Sequence, residues 1–178
     1  MSYGGAGPNR SGLDRHLVLV GMSGAGKSSV GRACADRLGV GFVDVDHALE
    51  ETTSRSIREL FETEGEAGFR RREHELFRDL LDREDPTVIA SGGGVVLLEE
   101  NRKLLCSPRC RVVWLRIEPD ALRHRVVNRA HRPLLDGDPD AALHAMWVER
   151  EPLYQEVADV IVSVEHRSVG EVVEAVLR

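Results

Sequence analysis

The sequence predicts an α/β domain in three layers, with helices on both faces of a central five-stranded parallel sheet. Two observations lead there. Short runs rich in Val, Ile or Leu recur at 16–20, 41–45, 87–91, 111–117 and 159–164, with helical patterns between them. Such alternation requires crossover helices on a parallel sheet. The first run leads directly into Gly21-Met22-Ser23-Gly24-Ala25-Gly26-Lys27-Ser28, a complete G-x-x-x-x-G-K-S phosphate-binding loop that opens a helix-like stretch. The expected fold is therefore of the P-loop NTPase type.

Taken in order, the chain opens with a polar, Gly-rich stretch at 1–14, read as a flexible tail before a single domain at 15–178. Leu17, Val18, Leu19 and Val20 are continuously apolar, as a strand buried on both faces must be. Gly21, Gly24 and Gly26 then permit turns that a Cβ disfavours, and the N–H groups at the helix start point toward an anion. In the segment 65–83, Phe69, Leu76, Phe77, Leu80 and Leu81 share one helical stripe. Most of Arg70, Arg71, Arg72, Asp79 and Asp82 fall off it. The stretch 126–140 is polar, turn-rich and carries arginines around an apolar pair, which suits either a mobile lid or a solvated connection. Val169, Val172, Val173, Val176 and Leu177 mark a last helix capped by Ser168.

Net charge is −6, which argues against general attraction to nucleic acid or to a membrane surface. An anionic substrate must then be drawn by a local arginine cluster. Cys34, Cys106 and Cys110 lack a second metal-ligand pair, so reduced thiols in a cytoplasm are expected rather than zinc or a disulfide framework. No stretch approaches the length of a membrane span, and no apolar surface stripe is left over, so a monomer is expected.

Lys27 supplies a positive charge for the β- and γ-phosphates of a nucleotide, and Ser28 a hydroxyl for Mg²⁺. Asp44 and Asp46 end the second strand, at the carboxyl end of the sheet where open α/β folds bind ligands. Residues two apart in a strand face the same side, so the pair can act jointly on a metal and a hydroxyl. Alternatively, Asp46 caps the helix that follows. Ser91 stands where many phosphate-loop proteins place an aspartate for Mg²⁺, leaving Asp44 as the available carboxylate. The triplet Gly92-Gly93-Gly94 signals close approach to the backbone. Arg70, Arg132 and Arg150 offer guanidinium forks for carboxylate or phosphate, and Glu73 lies one helical turn from Arg70. Taken singly, each fits a solvated surface charge more readily.

Six pieces occur together: G-M-S-G-A-G-K-S-S, D-V-D, F-R-R-R-E, S-G-G-G-V-V, R-P-L-L and R-E-P-L-Y. In this combination and order the chain resembles the shikimate kinase family over nearly its whole length after the tail. Gluconate kinases and nucleoside monophosphate kinases share the first loop but not the later set. The resemblance implies transfer of the γ-phosphoryl group of ATP to the 3-hydroxyl of shikimate, on the route to chorismate and aromatic amino acids. It implies that Gly24, Ala25, Gly26, Lys27, Ser28 and Ser29 cradle the nucleotide, with Arg125 along the adenine and Arg167, more loosely, near it. Asp46 would orient or deprotonate the attacking hydroxyl, and Asp44 would act on Mg²⁺ through water. Arg70 and Arg150 would grip the substrate carboxylate, with Glu73 bracing the guanidinium. Gly92, Gly93 and Gly94 would line the pocket, within a substrate region that includes 45–73, and Arg132 would reach phosphate and substrate from the lid. Ser29 departs from the family's commoner threonine, and Asp136-Gly137-Asp138-Pro139 in the lid is particular to this chain. The alternatives are a kinase of another small hydroxy acid, such as gluconate, or a nucleotide-binding module without activity.

Overall fold

Strand β1 (His16–Val20) lies at the centre of a five-stranded, all-parallel sheet in the order β2-β3-β1-β4-β5. The others are β2 (Gly41–Asp44), β3 (Thr87–Ala90), β4 (Cys110–Arg116) and β5 (Val160–Ser163). The computed structural model describes residues 13–126 and 139–178. Residues 1–12 of the expected tail and 127–138 of the expected lid, Arg132 included, lie outside the described residues. Register is set on both sides of β1, with Leu19 opposite Ala90 and Val113. Leu17, Val18, Leu19 and Val20 are fully buried, each contributing about 2 kcal/mol by area removed from water.

Helix α1 (Lys27–Leu38) packs with α7 (Val169–Leu177) on one face, while α3 (Ile57–Leu81), α4 (Glu99–Leu105) and α6 (Pro139–Val157) form the other. Helices α2 (Val45–Thr53) and α5 (Pro119–Val126) pack on α3 and α6 respectively. Ser168 closes a capping box with Glu171 at the start of α7, as its sequence position predicts.

The expected helix over 65–83 starts eight residues earlier, at Ile57, where Ser56 and Glu59 make a second capping box. It also bends. Gly65 has φ 68° and ψ 178°, a conformation that L side chains avoid. Phe69, Phe77, Leu80 and Leu81 are buried as predicted. Arg70, one of five charged residues of which most were expected off the stripe, points inward, with its side chain only 12% exposed.

Candidate active site

The phosphate loop joins β1 to α1 at the carboxyl end of the sheet's central strand. Gly21, Gly24 and Gly26 all have positive φ, and Gly26 is the left-handed residue from which α1 starts. Ala25 N–H donates to Met22 O at 3.1 Å, which closes the turn. Lys27 Nζ is buried and donates to Gly21 O at 2.7 Å and Met22 O at 3.0 Å, so its charge lies over the loop. Ser28 and Ser29 are exposed at the helix start.

The strand reading of Asp44 and Asp46 is corrected by the structure. β2 stops at Asp44, which caps α2 by accepting from His47 N–H at 3.3 Å; Asp46 is already in the helix's first turn. The cap expected of Asp46 therefore belongs to Asp44, and helical rotation separates the two carboxylates. Asp44 Oδ2 accepts from Ser28 Oγ at 2.5 Å. Asp46 instead lines a cavity of about 610 Å³ beside Arg70, Glu73, Gly92, Gly93, Gly94 and Arg150.

Arg70 Nη1 donates to Glu73 Oε2 at 2.8 Å, and Glu73 is completely buried. Arg150, 7% exposed, reaches from α6 and donates from Nη1 to Gly93 O at 3.4 Å. Arg70 Nε, Glu73 Oε1 and Arg150 Nε are buried without a hydrogen-bond partner among the described residues. Burial pushes the Glu73 carboxyl above its ordinary value; Arg70 opposes that push and the Asp46 charge adds to it.

The glycine triplet needs its missing side chains for space, since none of the three has positive φ. A Cβ on Gly94 would run into the Arg70 guanidinium, and one on Gly92 into Glu73 Oε1. A Cβ on Gly93 would come within 3.0 Å of Ser23 N, in the phosphate loop. The close approach expected from the sequence is thus made by the protein's own groups. Ser91, where an aspartate is common, donates its buried hydroxyl to Leu19 O at 3.0 Å.

Met22, Ile57, Phe61, Phe69, Leu143 and Met146 give the cavity apolar walls that motif reading alone does not find. The Phe61 and Phe69 rings stack across the Gly65 bend with centroids 4.4 Å apart. Phe69 was legible only as a core residue, and Phe61 carried no signal. His74, for which the sequence offered no partner, bonds Asn101 Oδ1 through Nδ1 at 2.8 Å. Trp114 and Trp147 are packing residues as expected, both buried, with centroids 5.9 Å apart. Arg167 is exposed in the turn after β5, while the side chain of Arg125 is not among those described.

The shikimate kinase family model matches residues 23–178. The chain belongs to the shikimate kinase family. A shikimate kinase from Burkholderia pseudomallei is 45% identical over 163 residues, covering 91% of this chain and 88% of its own. Another, from Aromatoleum aromaticum, is 48% identical over 147 residues, covering 82% and 83%. Among solved structures, the shikimate kinase from Acinetobacter baumannii in complex with shikimate superposes with a TM-score of 0.87 at 36% identity, covering 92% and 90%. A gluconokinase from Sinorhizobium meliloti, 20% identical with a TM-score of 0.58, shares the fold alone.

Proposed function

We propose that this chain transfers the γ-phosphoryl group of ATP to the 3-hydroxyl of shikimate, releasing ADP and shikimate 3-phosphate. The observation that carries this reading is the shared wall between two sites. Gly93 lines the arginine-floored cavity and packs against Ser23 of the phosphate loop, so a hydroxyl bound in the cavity adjoins a phosphate bound in the loop. Alignment of this kind is the main requirement of phosphoryl transfer.

In this reading Arg70 and Arg150 take the substrate carboxylate as bidentate donors, with Glu73 bracing Arg70. Asp46 holds the attacking hydroxyl. The bond from the γ-phosphorus to its bridging oxygen breaks while the new P–O bond forms, and the hydroxyl proton leaves late, to Asp46 or water. Gly24, Ala25, Gly26 and Ser29 frame the triphosphate through the loop and helix start. Lys27 leaves its loop carbonyls for the phosphate oxygens, joined by Arg132 from a lid at 126–140, while Arg125 and Arg167 flank the adenine. The segment 45–73 is the substrate-binding region, Asp46, Ile57 and Phe61 among its cavity-lining residues.

Mg²⁺ fits the donor set at Ser28 and Asp44, a hydroxyl and a carboxylate held together at the loop. Among the described residues there is no cluster of three or more His, Cys, Asp or Glu that could hold a metal. A magnesium ion that takes most of its ligands from phosphate and water needs no such cluster. When bound it would neutralise charge on the phosphate oxygens.

In this reading the protein is also cytoplasmic and a monomer, the latter in keeping with only three exposed large hydrophobics among the described residues, Val148, Ile161 and Val169, on three different elements. Among the described residues no helix is long and apolar enough to cross a membrane.

The test is ADP release from ATP and Mg²⁺ on adding shikimate, with gluconate in parallel. Shikimate-dependent turnover that falls at least about a hundredfold in Asp46→Asn is the expected result. Turnover of gluconate in place of shikimate would overturn the substrate assignment.

A further inference from the structure

Tyr154 is on α6, one turn beyond Arg150, and its side chain is wholly buried behind the cavity wall. Its hydroxyl donates to Gly93 O at 2.5 Å and passes 3.9 Å from Met22 Sδ in the phosphate loop. Arg150 Nη1 donates to the same carbonyl, but at 3.4 Å. Two side chains at i and i+4 on one helix therefore converge on a single acceptor. The phosphate loop also lies close by, since a Cβ on Gly93 would come within 3.0 Å of Ser23 N.

The two donors are not equivalent. The tyrosine bond is short and comes from a fully buried side chain, whose burial keeps the phenol protonated far above its ordinary pKa. The arginine bond is long, and Arg150 Nε makes no hydrogen bond among the described residues, only an ion pair with the more exposed Glu149 Oε2 at 3.7 Å. A half-buried carbonyl that loses its stronger donor draws its remaining donor closer. Without the tyrosine hydroxyl, that donor is Arg150, and its guanidinium would be drawn onto Gly93 O and away from a ligand.

We propose that Tyr154 is a positioning residue for shikimate, whose hydroxyl occupies the Gly93 carbonyl and so leaves the Arg150 guanidinium free to meet the substrate carboxylate. This rests on the functional reading above, in which Arg150 is a carboxylate ligand. Its effect falls on one substrate only. The ATP site is reached through Met22 by packing, whereas the shikimate site loses the aim of a guanidinium.

Tyr154→Phe tests it, because the ring keeps its place beside Trp114, 5.6 Å away between centroids, and only the hydroxyl is lost. The expected result is a KM for shikimate raised about fivefold or more, as one lost hydrogen bond converts, with the KM for ATP changed less than about twofold. A purely structural role would reduce the folded fraction, lowering kcat with both KM values unchanged, and would overturn the proposal. KM does not depend on how much protein folds, so a partly unfolded preparation still answers. Combined with Arg150→Lys, the variant should add less than about twofold to the shikimate KM, since the route through Arg150 is already lost. Full additivity would overturn that route. Absence of shikimate turnover in the unsubstituted protein would overturn the functional reading itself, whereas normal turnover with an unchanged KM in Tyr154→Phe overturns this inference alone.

Discussion

Arg70 and Glu73 face each other one turn apart on α3, joined at 2.8 Å, with the carboxylate completely shielded from solvent. Truncating Glu73 to Ala would leave a mostly buried guanidinium with only the exposed Glu66, 3.4 Å away, as a partner, a class of change that costs up to about 3–5 kcal/mol. The brace thus fixes one of the two cavity arginines before any ligand arrives.

The same carboxylate gives a pH prediction. Burial raises its pKa above the ordinary 4.5, against the pull of Arg70. A proton held more tightly folded than unfolded stabilises the fold fully below the ordinary value, and that stabilisation is lost as pH rises through the raised one. Glu73→Gln does not titrate. Urea unfolding from pH 4 upward should therefore show the unsubstituted protein losing stability relative to Glu73→Gln; a relative gain would mean that Arg70 dominates and the pKa is lowered.

Gly94→Ala should act on the substrate rather than on the backbone. Its φ of −104° suits any residue, yet the added Cβ would collide with the Arg70 guanidinium. A KM for shikimate raised about tenfold, equivalent to about 1.4 kcal/mol, is expected, with the KM for ATP unchanged. Gly41→Ala is the control, since its Cβ would meet the Thr87 side chain no closer than 3.7 Å. Equal kinetic effects at both glycines would refute the steric account.

His16 should make the fold acid-sensitive. Its buried ring accepts from Thr87 N–H at 3.2 Å through Nδ1 and, in the tautomer this requires, donates from Nε2 to Arg83 O at 3.3 Å. A proton on Nδ1 would set donor against donor. Burial accordingly lowers the pKa below 6.5, despite the backbone bond to Arg83 that raises it. The stabilisation is present above pH 6.5 and lost as pH falls through the lowered value. In His16→Asn, whose oxygen can accept from Thr87 without titrating, the loss of unfolding free energy between pH 7 and 5 should be smaller. A parallel decline in both proteins would remove His16 as the cause.

The sheet was legible because a strand buried on both faces must be apolar at every position, as Leu17 to Val20 are. The phosphate loop was legible because its glycines and Lys27 are contiguous. Asp44 and Asp46 were misassigned in conformation because a short acidic run after a strand reads equally well as the strand's end or as a helix start. The bond from His47 N–H to Asp44 decides it. Arg70 was separated from Arg71 and Arg72 by Glu73 one turn on, but its burial beside the cavity follows only from its neighbours in the fold.

By itself, the sequence determined the parallel α/β architecture, the nucleotide loop and the family, since each is carried by residues adjacent in the chain or by motifs in a fixed order. The tertiary structure decided which face each of Asp44, Asp46, Arg70 and Arg150 presents, and what it meets there. It also brought Phe61, Phe69 and Tyr154 to the cavity or behind its wall. The physical reason is that the close fit of Arg70 and Glu73 to the glycine triplet, and the reach of Arg150 and Tyr154 from α6 to Gly93, are contacts between residues distant in sequence. No local pattern encodes those contacts, although the clearance they require is visible in retrospect as three consecutive glycines.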